Sequence, residues 1–482
     1  MTQTVELPLW LFVLIVLFAA VTALSHFLLP SVRWFFRRRF ERAVTRLNTR
    51  LKRPIQPFKL ARRYDMIQRL IYDPEVSREI AIYAEKNNVP ENVAFQKARE
   101  YAREIVPTFS AFAYFSFAMR VAKLLAEAVY RIRTASQNDE IFAAIPEDAT
   151  PVFVMNHRSN MDYVLVTYLA SKTSTLSYAV GEWARVWPLS SLIRLWGAYF
   201  IRRRSRGGLY RKVLSRYVQM ATNGGDTQAF YPEGGLSLTG RLQPSKVGLL
   251  SYLVDGFDPQ GERDIVFVPV AINYDRVLED RVLIAAHARG DRRFGARVSV
   301  VVAFILRKFW KRLRGHDTRF GTAAVAFGTP VSLRDYGVVD DVEVLSAELM
   351  ARIEAVMPVL GVPLVATVLR GSGPLSTEAM LAQVEAVLPH LPPQSIVLDR
   401  SDMAAEVDLA CQHMAQHDLI EKRGDVWHVM KGQDLAIEFY ANSIVHYLPE
   451  GNNSADAADA ADAADAADAA DAADAADAAV AK

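Results

Sequence analysis

His157 stands five residues before Asp162 in Asn156-His-Arg-Ser-Asn-Met-Asp162, directly after the apolar run Pro151-Val-Phe-Val-Met155. The run reads as a buried strand ended by a turn. A histidine leaving such a strand can face a cleft, and a carboxylate about one helical turn later can hold its ring. This is how a general base is oriented to take a proton from a hydroxyl. Nine histidines make one such spacing by chance about an even bet, so neighbouring sequence must supply the rest of a site.

Three further blocks come after it in order. Gly197-Ala-Tyr-Phe-Ile-Arg-Arg-Arg204 delivers Arg202 and Arg203 to the end of an apolar run, and guanidinium forks suit a phosphate. Ala229-Phe-Tyr-Pro-Glu-Gly-Gly-Leu-Ser-Leu-Thr-Gly-Arg241 ends a strand in Glu233, a group able to hydrogen-bond an acceptor hydroxyl. Its Gly234-Gly235 turn lets backbone approach a ligand closely, and Arg241 offers a further phosphate contact. Ile265-Val-Phe-Val-Pro-Val-Ala-Ile-Asn273 is an apolar strand carrying Pro269. Taken singly, each block reads equally well as surface cluster, ordinary loop or core.

The elements that must position these groups fall into stretches of different composition. Residues 1–30 read as a transmembrane anchor, since Leu7 to Leu29 is uncharged and long enough to cross a hydrocarbon core about 30 Å thick. Residues 31–63 are a basic juxtamembrane segment, with twelve Arg or Lys against Glu41 between Arg33 and Arg63. Positive charge on that flank places the downstream chain in the cytoplasm, along an anionic leaflet. Residues 64–138 read as a helical region bounded by Pro74, Pro90 and Pro107. Residues 139–340 alternate short strands with helices, which implies an α/β domain with a largely parallel or mixed sheet. Its expected strands are Val152 to Met155, Gln228 to Tyr231, Ile265 to Asn273, Val298 to Phe304 and Ala323 to Phe327. Residues 341–450 turn helical again, and the order helix, hairpin, helix from Glu406 to Tyr447 is winged-helix-like. That segment is not basic, so no nucleic-acid partner is implied. Residues 451–482 repeat Asp-Ala-Ala and read as a disordered tail. The lone Cys411 excludes an internal disulfide, and His413 with His417 lacks a third ligand, so no metal is expected. Val301 to Arg314 mixes aromatics with five cations and reads as interfacial, while Trp183 to Trp196 is an apolar run suited to core or to an acyl path.

In their order and gaps, the four blocks resemble the glycerolipid acyltransferase superfamily, and most closely the bacterial membrane-bound glycerol-3-phosphate acyltransferases. Phe327-Gly-Thr-Pro330, Val362-Pro-Leu-Val-Ala366 and Phe439-Tyr-Ala-Asn-Ser-Ile-Val-His446 extend the likeness over residues 60–448. The resemblance implies an α/β acyltransferase domain with a mixed sheet, preceded by the membrane anchor and helical region and followed by a mainly helical C-terminal domain. It implies acyl transfer from acyl-coenzyme A or acyl-carrier protein to glycerol 3-phosphate at a bacterial inner membrane, with no cofactor. His157 would be the base and Asp162 its orienting partner. Arg202, Arg203 and Arg241 would hold phosphate, with Glu233, Gly234, Gly235 and Ser237 completing the substrate site. Leu236 and Leu238 stand where that subfamily carries arginines. Losing two cations opens the acceptor to a lysophospholipid, or the site to a binding role without turnover.

Overall fold

The computed structural model describes residues 8–17, 45, 48–49, 53–134, 138–170, 175–181, 189–202, 207–290 and 320–448. Residues 1–55 with 172–174 form one unit, of which 9–17 is helical with Leu9, Trp10 and Phe12 exposed. Among the described residues no helix is long and apolar enough to cross a membrane, and only residues 8–17 of the expected anchor are described. The basic run Arg33 to Arg39, the expected strand Val298 to Phe304, the interfacial stretch Val301 to Arg314 and the tail lie outside the described residues.

The second unit, residues 56–171 and 175–482, is built on a mixed sheet. Its strands are β1 (Arg131–Thr134), β2 (Thr150–Met155), β3 (Ser177–Val180), β4 (Tyr199–Phe200), β5 (Gln228–Phe230), β6 (Ile265–Tyr274), β7 (Thr322–Phe327) and β8 (Val331–Ser332). They lie in the order β1-β7-β6-β2-β5-β3-β4, with β8 also on β6. Every pair from β6 through β2, β5 and β3 to β4 is parallel, whereas β7 and β8 run antiparallel to β6. β2 and β6 are buried at every position, which is why both are unbroken apolar runs rather than alternating ones. Pro269 is tolerated inside β6 because it falls between the stretch paired to β8 (Val266, Phe267) and that paired to β7 (Val270 to Tyr274).

Alternate side chains of β2 enter two cores. Phe153 and Met155 join the core that packs the helices Met161–Ala170, Gly361–Ser372, Met403–Ala415 and Asp434–Ala441. Val152 and Val154 join the core built with Arg63–Ile71, Glu91–Ile105, Gly208–Asn223 and Val342–Glu354. Neither core breaks at residue 138 or 340, so helices from both the N-terminal and the C-terminal regions pack on the same sheet. The expected proline boundaries coincide with helix ends: Pro74 opens Pro74–Lys86 behind the Asp73 cap, whose carboxylate accepts from Glu75 N at 3.0 Å. In the C-terminal region, Met403–Ala415, the hairpin of β10 (Ile420–Arg423) and β11 (Val426–Val429) and helix Asp434–Ala441 reproduce the helix–hairpin–helix order. A short β9 (Leu375–Ser376) pairs with β11.

Candidate active site

The carboxyl ends of β2 and β5 are neighbours in the sheet, and the chemistry collects just beyond them, as in other open α/β sheets. Where β2 stops, Asn156 continues its pairing with a side chain. Its carboxamide accepts from Ile272 N at 2.7 Å and donates to Ile272 O at 3.0 Å. The loop is thereby pinned one residue before His157.

Asp162 lies in the first turn of Met161–Ala170, fully buried, and four donors converge on its carboxylate. Oδ2 takes His157 Nδ1 at 2.9 Å, Arg158 N at 2.8 Å and Ser159 N at 3.0 Å, and Oδ1 takes the Tyr274 hydroxyl at 2.5 Å. The five-residue spacing works because three loop residues fold back over the helix start. With Nδ1 donating to Asp162, the lone pair of the imidazole sits on Nε2, which has no hydrogen-bond partner among the described residues. The ring stacks on Tyr231 at 4.0 Å between centroids and meets the edge of Tyr163 at 5.5 Å.

Glu233 is placed differently from the expectation. Its Oε1 accepts from His157 N at 2.6 Å and its Oε2 from Gln243 N at 2.9 Å, so both oxygens tie loops together. Burial pushes this carboxyl up to about 8, against the downward pull of the two backbone donors and of Arg158. Ser237 is likewise internal. Its N donates to His157 O at 3.0 Å, its hydroxyl donates to Arg241 O at 2.6 Å, and it accepts from Gly240 N at 3.0 Å. Gly234 has φ +68, and its N–H closes a turn on Tyr231 O at 3.1 Å, which removes it as an oxyanion donor. Gly235 has open space where a Cβ would stand, and the Arg241 backbone belongs to the loop that Ser237 closes.

Arg202 does not join this cluster. β4 is separated from β2 by β5 and β3, a lateral offset of roughly 14 Å at normal strand spacing. Its guanidinium is clamped by Glu104 at 2.8 and 2.5 Å beside the rings of Tyr101 and Tyr210. Hydrogen bonding to Glu104 pushes its ionisation above the ordinary arginine range. Arg203 lies outside the described residues. Leu236 and Leu238 are partly buried and pack against the core, so these positions are apolar in use as well as in type.

Several site residues escaped the sequence reading. Tyr274 ends β6 and reaches Asp162, and Glu279 takes Ser159 Oγ at 2.8 Å and Asn160 Nδ2 at 3.0 Å. Burial raises the Glu279 carboxyl. Arg158 lay inside the quoted block without a role, and Lys246 packs its Cδ 3.0 Å from where a Gly234 Cβ would stand. Only their nearness in sequence to the blocks hinted at them. Beside Asn160 and Tyr163 an apolar cavity of about 170 Å³ is lined by Tyr114, Val121, Leu125, Tyr178, Ile193 and Trp196, the last two from the expected acyl path.

The family described as Acyltransferase matches residues 137–273, and the glycerol-3-phosphate acyltransferase C-terminal region matches residues 306–450. The chain thus matches an acyltransferase domain followed by this C-terminal region. A glycerol-3-phosphate acyltransferase of Pseudomonas fluorescens is 29% identical over 280 residues, covering 58% of this chain and 32% of that protein. One from Ectopseudomonas mendocina is 30% identical, with the same coverage. One from Actinobacillus succinogenes is 27% identical over 423 residues, covering 81% of this chain and 50% of that protein. The chain thus spans about a third to a half of the length of these relatives. A crystal structure of the 1-acyl-sn-glycerophosphate (LPA) acyltransferase from Thermotoga maritima aligns with a TM-score of 0.32 at 16% identity, over 58% of this chain and 92% of that one. Both loops of this site, after β2 and after β5, fall within the first match.

Proposed function

We propose that this chain transfers an acyl group from a thioester of coenzyme A or of acyl-carrier protein to a hydroxyl of glycerol 3-phosphate. The observation that carries the reading is the buried His157–Asp162 pair with Nε2 left over. Nε2 takes the acceptor hydroxyl proton as its oxygen attacks the thioester carbonyl. The tetrahedral oxyanion collapses, the C–S bond breaks, and the imidazolium returns its proton to the leaving thiolate. No acyl-enzyme forms. Asp162 holds the ring and stabilises the imidazolium, and Tyr274 holds Asp162. Arg241 and Lys246, in the loop after β5, and Arg203 are the candidates for the acceptor or donor phosphates. The cavity beside Tyr163 suits the acyl chain.

A second acceptor reading, lysophosphatidic acid, is favoured by Leu236 and Leu238, which add apolar surface where two phosphate-binding cations are expected. The enzyme works at a membrane surface in this reading. The exposed apolar helix over residues 9–17 and the basic run behind it suit a bacterial inner membrane, with the active site on the cytoplasmic side. The test is purified protein with labelled acyl-coenzyme A and both acceptors in competition. Product from glycerol 3-phosphate supports the first reading; product from lysophosphatidic acid alone replaces it with the second.

A further inference from the structure

Tyr231 stands directly after β5 and before Pro232, and a proline steers the residue ahead of it away from helical backbone. The alternation of the strand carries over to it. Phe230 enters one core, whereas Ala229 and Tyr231 join the other, together with Phe153 and Met155 of β2 and with Met161, Leu165 and Val166 of the covering helix. His157 follows Met155 by two residues, and β2 is paired to β5, so the imidazole and the phenol come out on one face of neighbouring strand ends. They meet flat, with ring centroids 4.0 Å apart and planes 21° from parallel. Tyr163 stands across both, at 85° to the imidazole and 74° to the phenol. The Tyr231 hydroxyl is buried with no hydrogen-bond partner among the described residues, so contacts of the ring, not a bond of the hydroxyl, hold the side chain. Burial also pushes its ionisation well above the ordinary tyrosine range, which leaves a neutral ring against the imidazole.

We infer that Tyr231 is a positioning residue whose aromatic face stabilises the imidazolium that His157 becomes when it takes the acceptor proton. An aromatic ring is negative over its faces, so it attracts a cation placed there and attracts a neutral ring far less. The charge appears only as the hydroxyl proton reaches Nε2, and it is gone once the thiolate has taken that proton. The attraction is therefore stronger in the transition state than in the resting enzyme, which lowers the barrier. The face acts from a direction that Asp162 leaves open. Asp162 Oδ2 meets the imidazole at its edge, 2.9 Å from Nδ1, whereas Tyr231 covers its flat side. His157 is 2% exposed, so water cannot take over that solvation. At a desolvated site such an attraction accounts for roughly a thirtyfold effect on rate. The other charged or titratable groups around the ring are Asp162 and Tyr163 on the helix Met161–Ala170, Arg158 on its own loop, Glu233 on the loop after β5, and Tyr274 and Glu279 at and after the end of β6. A change confined to the ring at position 231 leaves all of them in place.

The test replaces Tyr231 in the full chain by phenylalanine and by mono-, di- and trifluorinated phenylalanine. Each fluorine drains charge from the ring face while leaving its size nearly constant, so the packing stays and the attraction fades. One readout is kcat with whichever acceptor the wild type turns over, and this arm rests on the acyl-transfer reading. The other needs no substrate: the midpoint of His157 protonation, followed by NMR of labelled histidine. Tyr231→Phe keeps the face and should hold kcat within about threefold of the wild type. Along the fluorinated series kcat should fall by about threefold per fluorine, to roughly thirtyfold in all. The midpoint should move down in step, because a cation that loses its partner gives up its proton more easily. A wild type that turns over neither acceptor removes the acyl-transfer reading, and the midpoint series then decides the role of Tyr231 alone. A kcat or a midpoint that stays level along the series overturns the inference. So does a fall completed at Tyr231→Phe, which would put the hydroxyl rather than the face in use.

Discussion

The proton inventory at His157 is decided by its neighbour. Asp162 accepts from Nδ1, which leaves the lone pair on Nε2. Asp162→Asn keeps an oxygen for Nδ1 and the two loop amides but removes the charge that stabilises the imidazolium; kcat should fall by about 10²-fold or more with normal folding, and a loss under tenfold would argue against that electrostatic role. Tyr274→Phe removes one donor from Asp162 while keeping the packing beside Tyr130. One such hydrogen bond to a charged group is worth about 1.5–3 kcal/mol, so kcat should drop roughly tenfold to a hundredfold with KM for the acceptor unchanged. A change confined to KM would move Tyr274 out of the base's support. The His157–Asp162 pair was legible because its spacing is local. Glu233 and Arg202 were legible in position and not in direction, since their partners, Gln243 N and the His157 amide for one and Glu104 for the other, are chosen by packing across 10 to 98 residues.

At the scale of elements, strands β2 and β6 announce themselves as apolar runs of β-branched and aromatic residues, and β5 and β7 through the aromatic residues that close shorter or alanine-rich stretches. β1, β3 and β4 do not. They span two to four residues, and Arg131 to Thr134 carries two arginines, so neither length nor pattern sets them apart from loop. The loop after β5 depends on glycines for a physical reason seen at Gly240. With φ +83 and the Phe439 carbonyl against its Cα, Gly240→Ala is strained in backbone and in space. It should cost about 2–4 kcal/mol by thermal unfolding, and a loss under 1 kcal/mol would contradict the packing. In the closing segment, burial lowers His446 from 6.5 to about 4 while its ring faces Glu354 O at 3.1 Å. A depressed histidine adds stability above about 6.5 that is lost as pH falls towards 4. His446→Gln should therefore flatten the acid limb of a stability–pH curve, and an unchanged limb would assign that titration elsewhere.

The second unit is a sheet with a core on each face, and both cores draw on helices far apart in the chain. The composition of the segments predicts the parts, but not that the cores run through from part to part. That continuity arises because β2 and β6 are buried on both faces and need cover from distant chain. A chain cut after residue 340 loses the partners of Asn273, Asp275 and Gly240, and should yield aggregated rather than partly active protein. Removal of residues 451–482, an alanine-rich acidic repeat, should leave turnover within about twofold. These outcomes concern the frame; the central claim concerns one imidazole. It is tested most directly by initial rates of labelled acyl transfer for the wild type and His157→Ala, matched in thermal stability. The account predicts a loss of about 10²–10⁴ in kcat at every acceptor concentration, and turnover by His157→Ala at close to the wild-type rate would contradict it.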